Sequence, residues 1–150
     1  MLTEVKRILI VDDNDRDVKL TVNALRKNNF ANEIDIVNDG EEALDYLYRR
    51  GKFTDVVKGN LAIILLDIKM PGMGGIETLK EIRNDPKFKL VPVIILTSSK
   101  EENDLVESYR LGANAYVVKP VDMQQFIEAI KLLGQFWVVI NEPPPIKLGK

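Results

Sequence analysis

The chain of 150 residues contains no cysteine and no histidine, and these two absences narrow the chemistry open to it. Disulfides, zinc–thiolate sites, imidazole metal sites, Ser-His-Asp catalysis and a phosphohistidine carrier role are all excluded. A formal net charge of −2 provides no basic surface for nucleic acid or an anionic membrane, and the length suits one domain.

In the first half of the chain, continuous apolar stretches, which predict strands, alternate with stretches whose apolar residues have helical spacing. The first strand combines Val5 with residues 8–11, and Asp15 suits the N-cap of a helix that runs to about Lys27. Residues 33–37 predict a short second strand, and a turn at residues 38–40 begins a second helix. The expected inner face of this helix consists of Ala43, Leu44, Leu47 and Tyr48. A polar loop, residues 51–59, follows.

The second half is built around the most apolar strand, residues 61–66, which ends at Asp67. Further elements are a helix at 75–84, a strand at 92–96, a helix at 101–111, a strand at 115–118 and a last helix capped by Asp122. Apolar strands alternating with helices predict an α/β fold with a doubly wound, five-stranded parallel sheet. Right-handed crossovers favour the flavodoxin-like order 2-1-3-4-5.

Acidic residues follow the two strands that this order makes adjacent at the centre of the sheet. Asp12 and Asp13 come directly after the first strand, and Asp67 follows the third. The three carboxylates should therefore converge at the edge where open α/β sheets bind ligands. Two carboxylates about 4 Å apart repel by roughly 4 kcal/mol near a protein surface. Such a group favours a hard cation, Mg²⁺ or Mn²⁺, although Asp67 alone is equally well explained as a helix cap.

Two further strand ends point toward the same edge. Thr97 ends the fourth strand and offers a hydroxyl group, and Lys119 ends the fifth strand and offers a cation. Taken singly, Thr97 is more often a helix cap, Lys119 a solvated surface lysine, and the nearby Tyr116 a packing residue. The joint pattern of acids, hydroxyl and lysine at successive strand ends favours a common site.

Four motifs at these strand ends resemble the receiver domain of two-component response regulators. They are VDD at residues 11–13, LLDIKMPGMGG at 65–75, LTSS at 96–99 and YVVKP at 116–120. The resemblance spans approximately residues 5–133 and is specific, because all four motifs occur in the right order. It implies a phosphoacceptor signalling domain that catalyses only its own phosphorylation and dephosphorylation. The phosphoryl donor would be a sensor histidine kinase or a phosphotransfer protein.

The same resemblance implies roles for the acidic residues. Asp67 would accept the phosphoryl group, Asp13 would ligate Mg²⁺ directly, and Asp12 would do so through water. The backbone carbonyl of Lys69 is a further implied ligand, and Mn²⁺ is an alternative ion.

Thr97 and Lys119 are implied to bind the phosphoryl oxygens, and the bond between Lys119 and Pro120 to be cis. On phosphorylation we expect Thr97 to be drawn toward Asp67 and Tyr116 to turn inward. The surface of the fourth helix, fifth strand and last helix would then change and present itself to a downstream protein partner.

The receiver domain is expected to occupy residues 1–140, with residues 134–140 as an apolar extension of the last helix. Phe136, Trp137 and Ile140 would form an exposed patch, which predicts a homodimer; the alternative is that the segment folds back onto its own domain. Residues 141–150 form a Pro-rich tail. The YRRG sequence at 48–51 and the aromatic extension are similar to the small regulators paired with bacterial phytochromes.

Two other functions remain open from the residues alone. A phosphohydrolase of the haloacid-dehalogenase type also uses Asp, Thr, Lys and Mg²⁺, but its acidic metal motif follows the lysine, and Asp67 precedes Lys119. A receiver-like scaffold that works without phosphorylation is the second.

No apolar run approaches the roughly 20 residues that span a bilayer, and acidic residues come too early for a secretory signal. We therefore expect a cytoplasmic protein.

Overall fold

The computed structural model describes residues 6–27, 32–55 and 60–119. In this part of the chain five parallel strands form one sheet in the order β2-β1-β3-β4-β5, which confirms the predicted topology. The strands are β1 (Lys6–Val11), β2 (Glu33–Val37), β3 (Asn60–Leu66), β4 (Val93–Thr97) and β5 (Ala115–Val118). The helices are α1 (Asp15–Lys27), α2 (Gly40–Tyr48), α3 (Gly75–Asn84) and α4 (Glu102–Arg110), and a 3-10 turn covers Gly51–Phe53.

Several predicted features lie outside the described residues. They are Val5, the last helix with its cap Asp122, the extension at 134–140, the patch of Phe136, Trp137 and Ile140, the Pro-rich tail, and the Lys119–Pro120 bond. Among the helices in the described ranges, none has the length and apolar character needed to cross a bilayer.

The central strands β1, β3 and β4 are buried on both faces, as their continuous apolar residues require. Alternate residues of a strand point to opposite faces, so Leu9 and Val11 of β1 pack in one cluster with Ile64 and Tyr46. Ile8 and Ile10 lie in the second cluster, which contains the inner face of α1. Helices on both sides therefore hold β1 and β3 rigidly in the middle of the sheet.

The predicted cap of α1 is wrong by one residue. Asn14, not Asp15, accepts the first helical bonds, because its side-chain oxygen lies 3.0 Å from the amide nitrogen of Asp17. Its carbonyl also accepts from Val18 N–H at 3.0 Å. Asp15 is already inside the helix, where its charge still favours the positive end of the helix dipole.

The predicted inner face of α2 also needs a correction. Tyr46 is fully buried and Tyr48 is 36% exposed, because residues three and four positions after Ala43 share its face of the helix and Tyr48 does not. The polar loop that follows contains the 3-10 turn, and the ring of Phe53 packs edge-on against Tyr46 with centroids 5.5 Å apart. The aromatic pair thus joins the 3-10 turn to α2.

The α4 helix contacts the sheet through a different face from the one its apolar residues suggest. Leu105, Val106 and Tyr109 are exposed, whereas Ser108 is fully buried. Arg83 of α3 fixes the chain next to α4, since its guanidinium donates to the carbonyls of Val91 at 2.8 Å and Gly112 at 2.8 Å. The arginine thereby connects the segment that precedes β4 to the turn that precedes β5.

Candidate functional site

The carboxyl ends of β1 and β3 bring three acidic side chains together. Val11 and Leu66 are paired in register, and the amide of Asp67 donates to the carbonyl of Val11 at 2.9 Å. Asp12 is 4% exposed and Asp67 is 6% exposed. One carboxylate oxygen from each of Asp12, Asp13 and Asp67 lies within 4.8 Å of the others. The predicted convergence is therefore present in the structure.

Lys119 lies among these acids as a buried cation. Its Nζ is 2.6 Å from Asp12 Oδ2, 3.0 Å from Asp67 Oδ2 and 3.0 Å from Asp17 Oδ2. The amide of Lys119 donates to the carbonyl of Thr97 at 2.7 Å, which fixes the end of β5 against β4. Asp17 was not predicted from the sequence to be a site residue. The missed signal is that α1 begins soon after the acidic pair Asp12 and Asp13, so its first turn remains near the same edge.

Burial and charge act in opposite directions on this cluster. Burial raises the pKa of Asp12, and the hydrogen bonds from Lys119 and the Asn14 amide only partly offset that rise. Burial alone would lower the pKa of Lys119, but its bond to Asp12 and the charges of Asp67 and Asp12 outweigh burial and raise it. Lys119 is thus held in its charged form, while burial disfavours the charged form of Asp12, which nearby positive charge would stabilise.

Ser99 connects the two residues that were predicted to act as a switch. Its amide donates to Thr97 Oγ1 at 3.2 Å, and its carbonyl accepts from the Tyr116 hydroxyl at 3.0 Å. Its own hydroxyl donates to Asp104 Oδ2 at 2.5 Å, at the start of α4. Thr97 is fully buried and Tyr116 is half-buried. Ser99 entered the sequence analysis only as the last residue of the LTSS motif, and Asp104 was not singled out.

Lys69 lies in the loop after β3 and contacts α4 through its side chain. Its amide donates to Asp67 Oδ1 at 3.2 Å, which orients the carboxylate. Its Nζ is 3.4 Å from Asp104 and 3.8 Å from Glu101. Both pairs involve half-exposed or exposed groups and add little stability, but they link the loop that carries Asp67 to the first turn of α4.

Two glycines hold the same loop close to its neighbours. A Cβ on Gly75 would lie 2.8 Å from Ile68 Cα, and one on Gly40 would lie 2.8 Å from the carbonyl oxygen of Met73. The Gly40 amide donates to this carbonyl at 3.1 Å. Only glycine permits these approaches, so the position of Asp67 depends on both helices that flank its loop.

The fold, the acidic cluster and the buried lysine together define a receiver domain. The family model for the response regulator receiver domain matches residues 8–131, and the chain belongs to this family of phosphoacceptor signalling domains in two-component systems. The dehalogenase alternative is not favoured by these findings.

Relatives associated with phytochromes are among the similar proteins. Response regulator Rcp1 of Synechocystis sp. is 33% identical over 133 residues, which cover 89% of each chain, and its Mn²⁺-bound structure aligns with a TM-score of 0.82. The phosphorylated cyanobacterial phytochrome response regulator RcpA is 34% identical with a TM-score of 0.83, over 93% of this chain and 99% of that one. Bacteriophytochrome response regulator RtBRR is 52% identical with a TM-score of 0.76, over 94% and 85% of the two chains.

Proposed function

We propose that Asp67 is the phosphoacceptor of this receiver domain in a histidine-to-aspartate phosphorelay. The observation that carries the assignment is its place at the end of the central strand, with Oδ2 beside Lys119 Nζ and Oδ1 bonded to the Lys69 amide. In the proposed step a carboxylate oxygen of Asp67 attacks the phosphorus of a phosphohistidine. The P–N bond breaks, the imidazole nitrogen keeps the electron pair, and an aspartyl phosphate remains.

Lys119 and Thr97 are proposed to bind the transferred group. Phosphoryl transfer needs alignment and neutralisation of charge more than covalent assistance. The buried ammonium of Lys119, 3.0 Å from Asp67, supplies the neutralising charge. The hydroxyl of Thr97 lies at the end of β4, which neighbours β3 in the sheet. Both groups are fixed by strands, which favours a preorganised site.

A divalent cation, Mg²⁺ or Mn²⁺, fits the donor set. Asp12, Asp13 and Asp67 offer carboxylate oxygens within 4.8 Å of one another, and such oxygen ligands without imidazole or thiolate suit hard cations. The proposed ligands are Asp13 and Asp67 directly, Asp12 through water, and the carbonyl of Lys69. The Mn²⁺-bound form of Rcp1 supports this proposal. When bound, such an ion would offset negative charge on the phosphoryl oxygens.

The signal is proposed to leave the site through Ser99. A phosphoryl group bonded to Thr97 and Lys119 would gain two charge-assisted hydrogen bonds, about 3–6 kcal/mol in total, and about 5.5 kcal/mol inverts a 1:99 equilibrium. Movement of Thr97 toward Asp67 would disturb the Ser99 amide and, through its carbonyl, Tyr116. The face formed by α4 and β5 would change as a result; the last helix, which was also predicted to take part, lies outside the described residues. Thr97→Ala should permit phosphorylation but abolish its effect on the affinity for the downstream partner.

A phytochrome-type histidine kinase is the proposed donor, supported by the names of RcpA and RtBRR. A homodimer through Phe136, Trp137 and Ile140 stays a prediction, as do the domain limits 1–140 and 141–150. Light scattering at micromolar concentration tests the dimer, and a mass of one chain with and without a phosphate analogue contradicts it.

The acceptor assignment is tested by intact mass spectrometry after incubation with acetyl phosphate and Mg²⁺. The native chain and Asp45→Asn, an equivalent change in an exposed ion pair of α2, should each gain one phosphoryl group. Asp67→Asn should gain none. Equal labelling of Asp67→Asn and the native chain would show that the acceptor lies elsewhere.

A further inference from the structure

Lys119 has three carboxylate partners, and two of them have a second task in the proposed function. Asp12 and Asp67 belong to the acidic group whose oxygens are close enough to hold one metal ion. Asp17 is not part of that group, although its Oδ2 is as close to Lys119 Nζ as that of Asp67, 3.0 Å in both cases. The lysine therefore has one partner that a metal would not use.

A cation held by Asp67 directly and by Asp12 through water would compete with Lys119 for the negative charge of the same two carboxylates. A carboxylate neutralised by one cation attracts a second cation less strongly, and in a buried site this loss is large. Without another partner the ammonium, whose side chain is 3% exposed, would have to leave the site or oppose the metal. The carboxylate of Asp17 removes this conflict.

We propose that Asp17 is a positioning residue for Lys119, which holds the ammonium beside Asp67 through a carboxylate that is not shared with the metal. The inference rests on the proposed function and deepens it. Asp17 lies outside the group of carboxylates that could hold the metal, and it acts through Lys119.

The local structure keeps Asp17 in place. Its amide is bonded to the Asn14 side chain, and its carbonyl accepts from the Thr21 hydroxyl at 3.0 Å. The carboxylate is 22% exposed, so its replacement leaves no buried hole in the core. Asp15 lies in the same first turn and is exposed, which makes Asp15→Asn a matched control with the same loss of charge.

Calorimetric Mn²⁺ titration of the full chain tests the proposal without any phosphorylation. Asp17→Asn should weaken Mn²⁺ binding by about tenfold, a coupling of the size found between contacting groups, whereas Asp15→Asn should weaken it by about twofold because only distant charge is lost. In a Lys119→Met background Asp17→Asn should have no more effect than Asp15→Asn. Asp17→Glu should restore most of the affinity.

The possible outcomes separate this inference from the proposed function. Equal effects of Asp17→Asn and Asp15→Asn, or an undiminished Asp17→Asn effect in the Lys119→Met background, would overturn the positioning role and leave the acceptor assignment intact. A native chain that bound no Mn²⁺ would overturn the metal site together with the role of Asp17. A native chain that bound Mn²⁺ with the expected coupling but gained no phosphoryl group on Asp67 would overturn the proposed function alone.

Discussion

Replacement of Lys119 by methionine would remove the single cation from the described part of the acidic cluster and leave its shape nearly unchanged. The lysine side chain is 3% exposed and its main partners Asp12 and Asp67 are 5% and 7% exposed. Removal of one partner from a buried ion pair costs about 3–5 kcal/mol. We expect the lower end, about 3 kcal/mol, because Asp17 is partly solvated. For a chain of this length such a loss lowers Tm by roughly 6–12 °C.

Thermal and urea unfolding followed by circular dichroism, in EDTA and then in Mg²⁺, measure the effect. The exposed Lys100 provides the matched control, Lys100→Met. Lys119→Met should also gain more stability from Mg²⁺ than the native chain does, because the ion no longer competes with the ammonium and ligand binding stabilises in proportion to ln(1 + [L]/Kd). If Lys119→Met were as stable in EDTA as Lys100→Met, the electrostatic account of the site would be wrong.

Three further predictions concern stability alone and are read from urea unfolding. Arg83→Met should lose about 2–3 kcal/mol of unfolding free energy, because several carbonyls lose a charged donor. Arg110→Met removes one side of an exposed ion pair and should change stability little; equal losses would contradict the role of Arg83 in joining β4 to the turn before β5. Ser108→Ala should gain about 1 kcal/mol, since the buried hydroxyl has no hydrogen-bond partner among the described residues, and a loss would contradict this. Burial and the bond to Asp35 raise the pKa of Tyr46 above its ordinary 10.0. The stabilisation that this tyrosine gives the folded state is therefore full below pH 10 and is lost as the pH rises through its folded-state pKa. Tyr46→Phe should flatten this alkaline decline, and an unchanged slope would contradict the assignment.

The strand order and the convergence of acidic residues at one edge of the sheet could be predicted from the sequence. Both depend on a pattern that recurs from strand to strand, an apolar run followed by a polar or charged residue. Apolar runs that end in acid place Asp12 and Asp67 at the same edge as soon as β1 and β3 are adjacent, and Lys119 follows from the same rule. Most strand and helix limits in the described residues agree with the predictions, and the others differ by one residue; β4, for example, includes Thr97 as its last residue.

The contacts made by helical residues could not be predicted in the same way. Asp17 reaches Lys119 only because α1, which begins directly after Asn14, turns the Asp17 carboxylate toward the sheet edge, and this depends on the packing angle of the helix. The prediction placed Tyr48 on the inner face of α2, but the structure buries Tyr46 there. Both residues are aromatic and the helix is short, so spacing alone did not distinguish the buried ring.

The contact between Gly40 and the loop after β3 has a consequence for protein engineering. A chimera that transplants residues 67–75 into another receiver must also carry a glycine at the first position of α2, because any larger residue there would collide with the grafted Met73 carbonyl. The loop and the helix start thus form one exchangeable module, although more than twenty residues separate them in the chain.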